Sequence, residues 1–168
     1  MHEGISAYRK NYSCQSVLIN ALEKWREALV NKKKVGIVLM DLSKAFDCIY
    51  HPLLIAKLDA YGFGKNAITL LTSYLINRKQ RVKTNSVYSD WKRVTKGVPQ
   101  GSVLGPCLFN FFINDIFGFI REALLSNFAD DNTFTITGNT AAEVRQKLEI
   151  GVDQAISWFE LNLMQANP

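Results

Sequence analysis

The sequence predicts an α/β domain, helices alternating with a few strands, and three observations carry that prediction. An apolar run, VGIVLM at residues 35–40, ends in Asp41. Two further strand-like runs, LLSNFA and TFTIT, are separated only by turn-forming residues that include Asp130 and Asp131. Around these strands the apolar residues recur at helical spacing, between caps and glycine stops. At 168 residues, 48% hydrophobic and 21% charged, the chain has one domain's worth of globular sequence, without internal repeat, low-complexity tract or linker.

In chain order, Ser13 is placed to cap a helix over about 14–30, where Val17, Leu18, Ala21, Leu22, Trp25, Ala28 and Leu29 share helical spacing. Residues 35–40 follow as a strand apolar enough to be buried on both faces. His51-Pro52 opens a second helix that Gly62 stops, because proline suits a first turn and glycine a left-handed cap. A helix over about 65–77 leads into QRVKTNSVYSDWKRV, a hairpin with Asn85-Ser86 near its turn. GVPQGSVLGP is too rich in Gly and Pro for regular structure, and it feeds a core helix over about 103–117. LLSNFA and TFTIT then form a hairpin with the two acids at its tip. An amphipathic helix over about 140–164 closes the chain, with Val144, Leu148, Val152, Ile156 and Phe159 on one stripe.

Several function classes drop out. MHEGISAYRKNYSCQ lacks the apolar core of a signal peptide, so the sequon at Asn11 is expected to stay unmodified. Asn110, Asn114 and Asp115 interrupt VLGPCLFNFFINDIFGFI within the span a bilayer demands, so it reads as a core helix and no membrane is expected as a partner. Cys14, Cys48 and Cys107 are odd in number and widely spaced, which suggests neither a disulfide framework nor a zinc site and fits a reducing, intracellular compartment. GFGK at 62–65 lacks the spacing of a phosphate loop.

Charge is unevenly distributed. Residues 1–100 carry 17 Lys and Arg against 7 Asp and Glu, whereas residues 101–168 carry 3 against 8. Basic residues gather at Lys32–Lys34 and along the hairpin, where Arg78, Lys79, Arg81, Lys83, Lys92, Arg93 and Lys96 alternate with Val, Tyr and Trp. This asymmetry suits a polyanionic partner or a solvated basic face, and charge alone leaves both open.

Asp41, taken singly, is a turn former at a strand end, and Asp130-Asp131 is an ordinary turn pair. Together they ask for more. No Lys or Arg lies within eight residues of the pair to neutralise it. Two carboxylates held at about 4 Å repel by roughly 4 kcal/mol at an effective dielectric near 20, so a protein that gathers three needs a cation. Hard oxygen donors without His or Cys favour Mg²⁺ or Mn²⁺ over zinc. Two such ions would clamp the attacking and departing oxygens of an in-line phosphoryl transfer, provided the fold brings Asp41 and Asp130 together.

VGIVLMDLSKAFDCIYHPLLIAKLDAYGF, GVPQGSVLGPCLFNFFINDI and NFADDNTFTIT, in that order and separation, resemble the palm motifs A, B and C of reverse transcriptases, specifically those of non-LTR (LINE-type) retrotransposons. SAYRKNYSCQSVLINALEKWR resembles the segment before motif A, so the resemblance covers essentially the whole chain. It implies a right-hand polymerase palm with part of the fingers, built as an antiparallel sheet backed by helices. It also implies an RNA-directed DNA polymerase that transfers deoxynucleotides to a primer 3′-OH and releases pyrophosphate. The implied partners are an RNA template, a DNA primer and deoxynucleoside triphosphates, with two Mg²⁺ ions that Mn²⁺ can replace. Cytoplasm and nucleus are the implied locations.

By resemblance, Asp41 and Asp130 hold metal, with Asp131 as the third carboxylate and the Leu42 backbone beside them. Leu42, Ser43, Lys44 and Ala45 line the triphosphate with backbone groups. Phe46 stacks under the sugar and excludes a ribose 2′-OH. Gln100 and Gly101 lie on the loop that contacts the incoming nucleotide and the template strand, and Phe128 supports the hairpin from beneath. Arg78, Lys79, Arg81 and Lys83 are the candidate nucleic-acid contacts. Tyr50 and Asn132 depart from the residues usual at their positions. Relative to the family, the chain is expected to start after the first fingers strands and to stop before the thumb and a lysine that protonates pyrophosphate. That raises a second expectation, a truncated and catalytically inactive remnant that at most binds nucleic acid. A host-recruited relative, of telomerase or intron-maturase type, is a third.

Overall fold

The structure, a computed structural model, describes residues 1–167. The chain forms two compact units, Met1–Ala45 with the chain from Ile113 onward, and Phe46–Phe112. Numbered in chain order, the first unit carries α1 (Cys14–Val30), α6 (Ile116–Phe119) and α7 (Ala141–Leu161) with β1 (Lys34–Met40), β6 (Leu124–Phe128) and β7 (Asp131–Gly138). The second carries α3 (His51–Ala60), α4 (Lys65–Leu75) and four two-residue strands, β2 (Lys79–Gln80), β3 (Lys83–Thr84), β4 (Val87–Tyr88) and β5 (Lys92–Arg93). The short α2 (Ala45–Cys48) and the core helix α5 (Leu104–Ile113) lie at its two boundaries.

In the first unit, the Ser13 hydroxyl accepts from the Ser16 amide while the Ser16 hydroxyl accepts from the Ser13 amide, a reciprocal box that starts α1 where the sequence places it. The sheet is antiparallel in the order β1-β7-β6. Gly4 and Ser6 extend it beyond β6, with the Asn127 amide bonded to the Gly4 carbonyl at 2.9 Å and the Ser6 amide to the Asn127 carbonyl at 3.0 Å. Trp25 of α1 donates its indole N–H to the Thr135 hydroxyl at 3.1 Å, which fixes the helix against β7. Thr140 caps α7 by accepting from the Glu143 amide, and Glu143 reaches back to the Asn139 amide. Lys147 bonds the other Glu143 oxygen and holds that carboxyl below its ordinary range.

Three expectations need correction. β1 is not buried on both faces: it is an edge strand, and the face that carries Ile37 and Leu39 stays exposed. Gly36, Val38 and Met40 pair with the buried Ile136, Phe134 and Asn132, whereas Leu39 on the other face is 77% exposed. The helix expected over 103–117 breaks into α5 and α6 at Asn114-Asp115, where the Asn114 side chain accepts from the His2 amide, and Val103 stands outside α5, exposed. Short polar side chains of this kind compete with helical backbone bonding. The buried stripe of α7 runs through Val144, Gly151, Ala155, Trp158 and Phe159, with Ile156 exposed. Small residues at 151 and 155 allow close approach, and an apolar count overlooks them: a Cβ on Gly151 would sit 3.2 Å from that of Ala123.

In the second unit, Gly62 at φ +85° ends α3 as expected, with the Phe63 amide bonded to the Leu58 carbonyl and the Gly62 amide to the Asp59 carbonyl. α4 stops two residues short of the expected end, and Asn77 just beyond it has φ +59°. Leu54, Leu58, Leu75, Leu108, Phe109 and Phe112 are buried, and Lys57 turns its ammonium onto the Phe112 carbonyl at 2.9 Å. The basic hairpin forms as two short ladders, β2 with β5 and β3 with β4, around Asn85 at φ +54°. No helix among the described residues is long and apolar enough to cross a membrane.

Gly36 has no room for a side chain: a Cβ there would lie 2.5 Å from Val144 Cγ1 and 2.6 Å from Leu148 Cδ1. Gly36→Val is expected to push α7 off the sheet and to cost about 1–3 kcal/mol in a urea titration. A wild-type midpoint would contradict this packing.

Candidate active site

Strand pairing brings two of the sequence-derived carboxylates to one end of the sheet. In the β1·β7 ladder Met40 lies opposite Asn132, so the register carried one residue further sets Asp41 opposite Asp131. β6 pairs with β7 up to Phe128 opposite Asp131, which leaves Ala129 and Asp130 as a two-residue hairpin loop at the same end. Asp131 is therefore the first residue of β7 rather than part of the tip. By strand alternation Asp41 and Asp131 share the face of Leu39 and Thr133, away from α7. Asp41 and Asp131 are exposed and Asp130 is half-buried.

The tip is held from within by an amide pair. Asn127 and Asn132 face each other across the hairpin, both buried, with Asn127 Nδ2 donating to Asn132 Oδ1 at 3.1 Å and to the Ala129 carbonyl at 2.7 Å. Asn132 Nδ2 donates to the Asp130 carbonyl at 3.0 Å. These bonds hold Ala129 at φ +57°, a conformation that two-residue hairpin loops need and alanine resists. The residue at 132 that departs from the family pattern thus braces the acidic turn. Phe128, expected beneath the hairpin, is the last residue of β6, paired with Asp131, and is half-buried.

Asp41 directly follows β1, just before a tight turn in which Lys44 has φ +49°. Residues 165–167 run alongside: the Ser43 amide donates to the Gln165 carbonyl, the Asn167 amide to the Asp41 carbonyl, and Asn167 Nδ2 to Asp41 Oδ2. Leu42 is buried and pairs with Ala166, while the Ser43 amide is already bonded, so of the expected phosphate-lining segment Lys44 is the exposed part and Ala45 is buried. No salt bridge among the described residues reaches Asp41, Asp130 or Asp131. Nor do three Asp, Glu, His or Cys side chains close into a metal cage among them. The donors still suit a hard divalent cation, being exposed or half-buried carboxylates that share one sheet end.

Within the second unit, the loop carrying Gln100 is zipped onto the segment that follows Ala45. Tyr50 pairs with Lys96, the Gly97 amide bonds the Ile49 carbonyl at 2.7 Å, and the Val98 amide bonds the Phe46 carbonyl at 2.9 Å. His51 Nε2 lies 2.7 Å from the Gly97 carbonyl, which can only accept, so this nitrogen carries the proton. Phe46 stacks on the buried Phe109 with ring centroids 4.5 Å apart and remains half-exposed. Gly101, at φ +77°, is exposed on the same loop.

On the hairpin, Arg78, Lys79, Arg81 and Lys83 are all exposed. The Arg81 guanidinium lies 4.0 Å from the Tyr88 ring centroid and 4.6 Å from that of Trp91, and Lys83 lies 5.4 Å from Tyr88. Basic and aromatic groups are interleaved there on extended backbone.

The fold defines a class. Solved structures of apo telomerase from Candida tropicalis, truncated from its C-terminal domain, and of Candida albicans telomerase with a fragment of telomeric RNA superpose with TM-scores of 0.67 and 0.69 over 99% of this chain and 36% and 32% of theirs. At 16% and 14% identity this likeness establishes the fold, that of a right-hand polymerase. The family profile described as reverse transcriptase (RNA-dependent DNA polymerase) matches residues 1–167, and the chain belongs to that family. Relatives include RNA-directed DNA polymerases of non-LTR retrotransposons. The probable RNA-directed DNA polymerase from transposon BS of Drosophila melanogaster is 29% identical across 96% of the chain, and the RNA-directed DNA polymerase from mobile element jockey of Drosophila funebris is 31% identical across 79%. The chain spans only 18% and 15% of their lengths. The reverse transcriptase family generally uses divalent metal ions.

Three contributors escaped sequence reading: Asn127, Asn167 and His51. Asn127 had a signal, a polar residue inside an apolar strand run. His51 was read only as a helix opener, and nothing local marked its bond to Gly97.

Two substitutions test this construction. Asn127→Ala removes the bonds to Ala129 and Asn132 and is expected to cost about 1–3 kcal/mol in urea. Gly97→Ala would place a Cβ 2.8 Å from Asp47 Cα at φ +81° and is expected to cost at least ~1 kcal/mol and to raise amide exchange across 96–101. Unchanged stability in either variant would contradict the corresponding contact.

Proposed function

We propose that the chain is the catalytic core of an RNA-directed DNA polymerase, adding deoxynucleotides to a primer 3′-OH on an RNA template and releasing pyrophosphate. The observation that carries this is the β1·β7 register, which runs to Met40 opposite Asn132 and so supports bringing Asp41 and Asp131 to the sheet end that bears the Asp130 turn. Asp41, Asp130 and Asp131, with the Leu42 backbone, would hold two Mg²⁺ ions, replaceable by Mn²⁺. When bound, such ions activate the attacking oxygen and neutralise the departing one. The acids of the chain bring them to one edge, and the brace of Asn127 and Asn132 keeps Asp130 there.

Lys44, with the backbone of Leu42, Ser43 and Ala45, would meet the triphosphate, Phe46 would exclude a ribose 2′-OH, and Gln100 and Gly101 would contact nucleotide and template. Arg78, Lys79, Arg81 and Lys83 would meet template phosphates. Tyr88 and Trp91 beside Arg81 would suit stacking on unpaired bases, as on other single-strand surfaces. We assign the activity to cytoplasm and nucleus. No observation favours the inactive-remnant alternative.

Primer extension on poly(rA)·oligo(dT) with Mg²⁺ or Mn²⁺ tests the proposal. The purified chain is expected to incorporate dTMP, and Asp130→Ala, folded by circular dichroism, to lose more than ~100-fold. Extension retained by that variant would refute the site. Reversing the charges of Arg78, Lys79, Arg81 and Lys83 is expected to flatten the slope of log affinity against log salt by about 0.7 per lost contact on single strands. An unchanged slope would leave those four side chains merely solvated.

A further inference from the structure

Gln100 Nε2 lies 2.9 Å from Asp47 Oδ1, and both residues are exposed. Surface contacts between flexible side chains are commonly incidental, but the backbones beneath this one are locked. The Gly97 and Val98 amides bond the Ile49 and Phe46 carbonyls on either side of Asp47. A Cβ on Gly97 would meet Asp47 Cα at 2.8 Å and its carbonyl oxygen at 2.9 Å, so the loop lies directly on the Asp47 backbone. His51 fixes the Gly97 carbonyl from the other side. With both backbones set, the carboxylate and the amide meet without either segment moving.

We infer that Asp47 is a positioning residue for nucleotide binding, which locks the Gln100 amide so that its oxygen, rather than its NH₂ group, is presented to the incoming nucleotide. An unrestrained glutamine offers donor and acceptor ends equally, since the two orientations differ only by rotation about one bond. A carboxylate accepts and cannot donate, so it selects the NH₂ end and leaves Oε1 outward. The presented acceptor matches a hydroxyl or N–H of a nucleotide and repels its phosphate oxygens, so the amide is directed to the nucleoside part. The cost of keeping an acid near a polyanionic ligand then has a reason. This inference rests on the proposed polymerase function and deepens one contact of that site.

The test is equilibrium binding of dTTP, with Mg²⁺, to the protein on poly(rA)·oligo(dT) whose primer is 3′-terminated so that no chemistry follows. Asp47→Ala is expected to weaken dTTP binding about tenfold, the loss of one charge-assisted hydrogen bond. Gln100→Ala should lose at least as much, and the double variant no more than Gln100→Ala alone. Asp47→Asn, whose carbonyl oxygen can accept the same bond, should stay within about threefold of wild type. In single-turnover extension Asp47→Ala should raise the nucleotide concentration for half-maximal rate far more than it lowers the maximal rate.

Additive losses, or Asp47→Asn as weak as Asp47→Ala while both melt like wild type, would overturn the inference. dTTP binding with the expected cycle but no extension by wild type would overturn the polymerase proposal and sustain the Asp47 role. Absence of dTTP binding by wild type would overturn both.

Discussion

Antiparallel pairing of β1 with β7 is the constraint on which the candidate site depends. Side chains alternate across a strand, so a slip of one residue would turn Asp41 to the covered face and separate it from Asp131. The register is held by packing on one side of the sheet, where Gly36 lies under Val144 and Leu148 and where Val38 and Phe134 pair. The hydrophobic face that stabilises the unit thereby decides where its charges emerge. The opposite face, met by Trp25 of α1 at Thr135, bears Leu39, Thr133 and the two acids.

The hairpin tip shows how backbone strain is maintained next to chemistry. Alanine at positive φ is unfavourable, and here it persists because two buried asparagines hold its own carbonyl and that of Asp130. A second locked segment, in the other unit, uses a different device. There a glycine without room for a side chain lets the 96–100 loop lie on residues 46–50, and backbone bonds do the rest. In both places a nominally flexible turn is made rigid by groups that touch no ligand, which is what preorganisation of a site requires.

Elements governed by local chemistry were legible in the sequence. Ser13 caps α1, Gly62 stops α3, Asn85 turns the basic hairpin, and the acids Asp130 and Asp131 stand at a strand reversal. What escaped was decided by tertiary partners. β1 read as doubly buried because its residues are apolar, and only the tertiary packing shows that the face of Ile37 and Leu39 is left exposed. The buried stripe of α7 was misplaced because Gly151 and Ala155 pack by being small. The break at Asn114 depends on the His2 amide more than a hundred residues away in sequence, a partner no local window contains. Of the candidate site, Asp41, Asp130 and Asp131 were singled out as carboxylates in need of a cation and given metal roles by motif resemblance, and strand pairing brings them to one end of the sheet. The amides and the histidine that hold the loops were found by neither.

The most direct test of the shared edge is Mn²⁺ binding, followed by electron paramagnetic resonance, in the folded chain and in Asp41→Ala, Asp130→Ala and the double variant. If β1 and the hairpin tip build one site, each single substitution weakens the same binding event by more than ~10-fold and the double variant adds little. Two independent events lost separately, or binding indifferent to both aspartates, would contradict the account.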